Sequence, residues 1–378
     1  MHLYFHIPFC ISKCDYCDFY SLPNKKTKIS DYFHSMNLEI EEWLDSTNLP
    51  NSPIKTIYFG GGTPSIAPVF EIGKILNNLK NKRGFAQTIE VTLEMNPGEI
   101  SRQKLVEFFQ IGINRISIGC QSFLDADLSN LGRIHSSKQA LQVVELAKDV
   151  GFQNIGLDLI FGIPEQTFED WKRNLTVATN LDVQHLSVYN LTPEKGTKFY
   201  ESIFSGDVKM PDEIIQERMF LLAQTILAEG GFEQYEISNY AKKGFRSQHN
   251  ANYWSRTDYR GFGPSAHSFV DGKRFWNVRD LEEYTKRLLR GKSPIDSSEI
   301  LSSAQKFTEL VMMGLRTARG ISMKDLKRKK LADQFFQNYE NLDAEFQKKF
   351  IVNSEFFKLE PEEWLLCDSL IEKLLAEI

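Results

Sequence analysis

The sequence predicts an α/β protein: an open, partial (β/α)6 barrel of the TIM type, followed by a small, mostly helical C-terminal domain. Two observations predict it. Six short β-type runs recur along the first half of the chain, each closed by a turn rich in Gly, Pro or polar residues, and most are followed by an amphipathic stretch. Alternating strands and helices imply βαβ units, a parallel sheet and right-handed crossovers. After Ser302 the strand signal gives way to helical periodicity.

The six β-type runs are 3–7, 56–59, 90–94, 115–119, 155–161 and 185–189. Between them, Tyr32, Phe33, Met36, Ile40, Trp43 and Leu44 keep close to a 3.6-residue period, as do Ala140, Val143, Val144 and Ala147, and Phe168, Trp171, Leu175 and Ala178. A sixth helix is expected to start at Pro211 and to stop at Gly230-Gly231. The pattern defines a barrel domain over 1–235. Residues 236–300, rich in Gly, Ser and aromatics with few clear periods, read as a linking region. Residues 301–378 read as the helical domain, for which a winged helix is one available form. Its helices are expected from Ser302 through Phe307, Leu310, Val311 and Leu315, then over 331–350 and 360–378.

The chain has 378 residues, 42% hydrophobic and 25% charged, ordinary values for a globular protein with a large core. No apolar run is long enough to span a bilayer, and the first residues read as a strand rather than a signal peptide. A soluble, cytoplasmic protein is therefore expected. The formal net charge of −5 argues against nucleic acid as a partner, because phosphate neutralisation needs clustered Lys and Arg. The basic run from Lys324 to Lys330 reads as a solvated helix face. Five cysteines, three of them within eight residues, point to metal or redox chemistry rather than a disulfide framework.

That cluster is Cys10-Ile-Ser-Lys-Cys14-Asp-Tyr-Cys17, spaced C-x3-C-x2-C directly after the first run. Thiolates are soft ligands suited to iron in sulfide clusters. Three can hold three irons of a cubane and leave the fourth open to a non-protein ligand. A structural zinc site closes on four ligands, and His6, inside the first strand, is the only nearby candidate. Cys120 and Cys367 stand alone and read as small buried hydrophobes.

Other polar residues fall at or just after the ends of later runs, where parallel α/β folds place their sites. Gly60-Gly61-Gly62-Thr63-Pro64 ends the second run and lets backbone approach a ligand closely. Glu94 ends the third run, Gln121 follows the fourth and Asp158 lies on the fifth, suited to hydrogen bonds with a ribose or another polar group. Arg133 could neutralise a carboxylate.

The cysteine spacing after a first strand resembles the radical S-adenosylmethionine superfamily. The resemblance implies a 4Fe–4S cluster on Cys10, Cys14 and Cys17, with S-adenosylmethionine chelating the open iron and cleaved reductively to a 5′-deoxyadenosyl radical. Tyr16 matches an aromatic that the superfamily packs near adenine, and Gly60–Pro64 matches its GGGTP motif. More narrowly, HIPFC, GGGTP, EMNPGEI, GCQSF, LDLIFGIPEQT and SVYNLTPEKGT resemble the oxygen-independent coproporphyrinogen dehydrogenase group from residue 2 to about 325. By this resemblance Tyr4, Tyr16, Gly61, Gly62, Thr63, Glu94, Gln121, Arg133, Asp158 and Thr192 contact S-adenosylmethionine.

Two departures point to a sister branch, the HemW-type haem chaperones. Phe19 stands where the dehydrogenases carry a fourth cysteine, and Met1 lies almost at the first strand, where they have an extension. His249-Asn250-Ala-Asn-Tyr253-Trp254 is similar to the HNxxYW signature of that branch. The resemblance implies that His249, Asn250, Tyr253 and Trp254 bind haem b, with imidazole a good axial ligand and the aromatics offering flat faces. His267 is a further candidate, facing either the haem or S-adenosylmethionine. The expected partners are haem, a haem donor, haem-receiving respiratory membrane proteins and a second copy of the chain, with peripheral contact at the inner face of a membrane. The rival expectation is the dehydrogenase reaction, oxidative decarboxylation of coproporphyrinogen III; Phe19, the missing extension and HNxxYW weigh against it.

Overall fold

The computed structural model describes residues 1–23, 26–46 and 52–378. Its centre is a twelve-stranded sheet. The strands are β1 (His2–Ile7), β2 (Ile54–Gly61), β3 (Phe85–Met95), β4 (Arg115–Gln121), β5 (Ile155–Phe161), β6 (His185–Asn190), β7 (Glu233–Glu236), β8 (Asn239–Ala241), β9 (Tyr259–Phe262), β10 (His267–Val270), β11 (Lys273–Asn277) and β12 (Ile295–Ile300). In space they run β12-β11-β10-β9-β1-β2-β3-β4-β5-β6-β8-β7. The six expected strands are present in sequential order and pair in parallel, each within a few residues of its expected bounds. The sheet does not close on itself. Beyond β6 it continues antiparallel through β8 and β7, and β9 pairs in parallel with the free edge of β1.

The helices that cross between the strands are α1 (Lys26–Leu44), α2 (Val69–Arg83), α3 (Arg102–Gln110), α4 (Ser137–Val150), α5 (Phe168–Asn180) and α6 (Glu213–Glu229). Their starts are set by side-chain caps on otherwise orphaned amides. Ser101 caps α3, Ser136 and Gln139 form a capping box on α4, Thr167 and Asp170 form one on α5, and Asp212 caps α6. Gly151, at φ 111°, ends α4 in a conformation that favours glycine.

Residues 236–300 do more than connect. They supply β8 to β12, a seven-residue helix α7 (Gln248–Trp254) and α8 (Leu281–Leu289). Buried Glu39 of α1 ties this segment to the barrel: it accepts from Arg260 (2.8 Å), Asn277 (2.8 Å), the Gly263 amide (3.0 Å) and Tyr284 (2.7 Å). The C-terminal part begins with α9 (Ser303–Leu315), held by a capping box of Ser302 and Gln305. The remaining helices are short. The expected run 331–350 is a helix over Ala332–Glu340, a turn of helix over Ala344–Gln347 and a strand at Phe350–Val352. That strand joins Phe356–Leu359 and Ile321–Ser322 in a small antiparallel sheet around Phe335, Phe350 and Phe357. Among the described residues no helix is long and apolar enough to cross a membrane.

Candidate functional site

Successive side chains of a strand point to opposite faces, so each parallel strand divides its residues between two surroundings. Leu3, Phe5 and Ile7, Ile57 and Phe59, Val91 and Leu93, Ile116 and Ile118, Leu157 and Leu159, and Leu186 and Val188 join the hydrophobic core. The alternate positions form a polar inner face. There Tyr4 stacks on Tyr58 at 6.2 Å, Tyr58 donates to Glu94 (2.7 Å), and Ser117 donates to Asp158 (3.3 Å). Polar groups on this face satisfy one another, and those at the strand ends remain open to a ligand.

At the C-terminal strand ends this face opens into a cavity of about 450 Å³. Cys10, Cys14 and Cys17 line it, with Tyr16, Gly61, Gly62, Thr63, Glu94, Gln121, Arg133, Asp158 and Thr192. The structure thus gathers nine of the ten expected S-adenosylmethionine contacts beside the three thiols. Tyr4 is the exception. It lines a neighbouring cleft, and its hydroxyl pairs with His6 Nδ1 at 3.0 Å.

The local geometry explains the residue types. Gly61 has φ 111°, and a Cβ there would lie 2.6 Å from the His6 ring. A Cβ on Gly62 would lie 2.6 Å from the Phe9 carbonyl oxygen, so only glycine lets β2 run this close to the cysteine loop. The Thr63 amide donates to that same carbonyl (2.7 Å), and its hydroxyl approaches Cys10 Sγ at 3.6 Å. Gln121 sits at φ 65°, a left-handed conformation costly for a side chain of its size. The irregular pairing between Ile118 and Gln121 produces it and turns the amide into the cavity.

Arg133 is the bridge of the site. It donates to Cys14 Sγ (3.3 Å), to Asn96 (2.6 Å) and to the Gly119 carbonyl (2.7 Å). Asn96 in turn donates to Thr63 (2.9 Å). Sequence reasoning missed Asn96, although it lies in the quoted EMNPGEI run. It also missed Tyr189, which the inner-face alternation of His185 and Ser187 points to.

Burial raises the Glu94 carboxyl to about 7, with the Asp158 charge adding and the Tyr58 hydrogen bond opposing. Burial likewise raises Asp158, against the Ser187 hydrogen bond. The Cys10 thiol is pushed up by burial, and Cys17 to about 11. Three thiols on one cavity wall, with hydrogen-bond donors already directed at two of the sulfurs, are a donor set that fits an iron–sulfur cluster. The glycine cradle and buried carboxyls fit a polar nucleoside with an amino-acid tail.

The HNxxYW segment lies at the other end of the strands. It forms α7, whose N-terminus is capped by Ser247 and by Glu90, which accepts from the amides of Gln248 and His249 (2.9 Å each). His249 is 1% exposed. Its Nδ1 pairs with Thr56 (2.7 Å) and its Nε2 with the Tyr253 hydroxyl (2.9 Å). Its ring stacks on Tyr58 at 5.0 Å. Burial lowers its pKa to about 3, so it is neutral. Tyr253 faces the cleft that holds Tyr4, whereas Trp254 faces a larger cavity of about 560 Å³ against the C-terminal part. Asn250 carries the amide that Ser247 caps. The four expected haem residues therefore share one helix but do not face one space.

A family model described as the radical SAM superfamily matches residues 4–177. The haem chaperone HemW of Bacillus subtilis (strain 168) is 33% identical over 327 residues, 86% of either chain. HemW of Escherichia coli (strain K12) is 37% identical over 277 residues, 72% of either chain. Among solved structures, coproporphyrinogen III oxidase (HemN) of Escherichia coli, a radical SAM enzyme, superposes with a TM-score of 0.84 at 20% identity, covering 100% of this chain and 90% of that one. At that identity the likeness carries the fold alone.

Proposed function

Because the chain belongs to the HemW haem-chaperone family of the radical SAM superfamily, we propose that it binds haem and delivers it to respiratory haem proteins. In this reading Cys10, Cys14 and Cys17 hold a 4Fe–4S cluster, and the adjoining cavity holds S-adenosylmethionine against Gly61, Gly62, Thr63, Glu94, Gln121, Arg133 and Asp158, with Tyr16 and Thr192 at its mouth. When bound, that pair supplies one-electron chemistry. The chain's own residues do the rest. Arg133 and Thr63 would stabilise thiolate charge by donating to Cys14 and Cys10, and Gly61 and Gly62 let β2 run close to the cysteine loop, where they would receive the nucleoside's polar tail.

The observation that carries the haem assignment is kinship over most of the chain with proteins named haem chaperones, together with the HNxxYW segment, which His249 ties to β2 and β3 and Asn252 ties to β1. Haem passes from a donor to its acceptors at a membrane that the protein meets peripherally, as a dimer in our reading. The dehydrogenase alternative gains nothing from the structure. Phe19, at the dehydrogenase cysteine position, is 64% exposed between the two clefts and offers no thiol.

The test is one anaerobic comparison. The reconstituted protein is expected to bind haem stoichiometrically and to leave coproporphyrinogen III unchanged. Turnover to protoporphyrinogen IX overturns the chaperone reading, and absence of haem binding does so equally. Cys14→Ala is expected to abolish the iron–sulfur absorbance; absorbance retained in that variant overturns the cluster assignment.

A further inference from the structure

An iron-porphyrin held through imidazole is served by a neutral ring with a free nitrogen open to a cleft, a flat apolar wall and a cation for its propionates. The seven histidines can be sorted on the first requirement. His6 is engaged at both nitrogens, by Tyr4 and the Tyr20 carbonyl, whereas His2, bound through Nδ1 to Thr56 and Asn252, and His135, bound through Nε2 to the Cys120 carbonyl, are excluded by burial rather than by pairing. His185 is wholly buried against Tyr235, and both nitrogens of His249 are engaged. His34 is exposed on α1 and lines none of the cavities described here. His267 alone is exposed on a cleft, and its ring makes no hydrogen bond among the described residues. It is held instead by stacking on Trp276 at 5.6 Å and 24°.

The cleft of about 320 Å³ that His267 faces supplies the other requirements. Tyr20, Phe19 and Tyr253 give it aromatic walls, and Arg279 stands over the Tyr20 ring at 5.7 Å. Among the described residues Arg279 makes no ion pair, so its charge is available to an anion. The Tyr253 wall is set by His249, whose Nε2 holds the Tyr253 hydroxyl. That gives the most buried residue of the HNxxYW motif a positioning role. Asp18 and Phe19 line both this cleft and the cluster cavity, so a ligand here would lie against the cysteine loop.

Resting on the haem-chaperone reading, we propose that this cleft is the haem site, with His267 Nε2 or Nδ1 as axial ligand and Arg279 pairing with a propionate. The cleft is smaller than a porphyrin, so one edge of the ring stays outside the protein, reachable by an acceptor.

The test uses the full, anaerobically reconstituted chain and ferric or ferrous haem as probe. Affinity is read from the Soret band, and axial ligation from the iron–imidazole stretch in resonance Raman spectra. His267→Gln and His267→Ala, at an exposed ring, are expected to lose that stretch and to weaken binding by about tenfold or more. Arg279→Ala is expected to weaken haem but not haem dimethyl ester, whose propionates carry no charge. An unchanged stretch and affinity in both His267 variants overturns the proposal. A stretch lost in His249→Gln yet kept in His267→Gln moves the iron to His249, overturning this site but not the chaperone reading. No haem binding by the unaltered protein overturns both.

Discussion

His249, His6 and His2 are three imidazoles held neutral by burial, at about 3, 4 and 4 respectively. Each folded-state value lies below the unfolded value near 6.5, so the unfolded chain binds more protons as acidity rises. Stability is therefore fully present above about pH 6.5 and is lost as pH falls toward 4. For a group as enclosed as His249 the loss between pH 7 and pH 5 is roughly 2 kcal/mol. Urea midpoints across that range are expected to fall, with a shallower slope in His249→Gln; an identical slope would remove His249 from the account. Gly61 makes the opposite kind of demand. Its positive φ and the 2.6 Å approach to His6 leave no room for a methyl group. Gly61→Ala is expected to cost about 1–3 kcal/mol and to displace β2 from the cysteine loop, seen as a lowered melting temperature with loss of S-adenosylmethionine binding.

At the scale of elements, α7 is too short to hold itself together, and a carboxylate from β3 replaces the missing helical partners at its N-terminus. Glu90→Ala leaves two amides unpaired at the floor of the barrel. Its expected cost is about 1–3 kcal/mol, with increased hydrogen exchange confined to residues 248–254. The sequence displayed α1, α4 and α5 through their 3.6-residue periods and α6 through Pro211 and Gly230-Gly231; the capping pairs Ser136 with Gln139 and Thr167 with Asp170 are further local signals that the periodicity reading did not use. It displayed β1 to β6 through β-branched and aromatic runs. It hid β9 to β12, which are four to six residues long, and β12 is exposed along most of its length. Such strands exist because a neighbour's edge is available, which periodicity does not report. The same reasoning covers the three short strands of the C-terminal part. The thiol-lined cavity was legible because its residues sit beside Gly and Pro turns at strand ends; Tyr4, expected with them by resemblance alone, lines the neighbouring cleft instead.

Across the whole molecule, Glu39 is the point where α1, β9, β11 and α8 meet. Removing it strands a buried guanidinium, so Glu39→Ala is expected to destabilise by about 3–5 kcal/mol, whereas Glu282→Ala, which breaks the solvent-exposed pair with Lys28, is expected to change stability little. Chemical denaturation of the two alanine variants compares them directly. The pairing of β1 with β9 also sets a timetable. Tyr259 follows Ile7 by about 250 residues, and synthesis at roughly 5–20 residues per second leaves the first strand waiting on the order of 10–50 s for its second neighbour. During that interval β1 to β6 can pair in the order they leave the ribosome, while the outer edge of β1 presents bare backbone groups. A nascent chain arrested before Tyr259 is the species most prone to pairing with another copy, and its edge is sealed only when the segment carrying HNxxYW and His267 arrives.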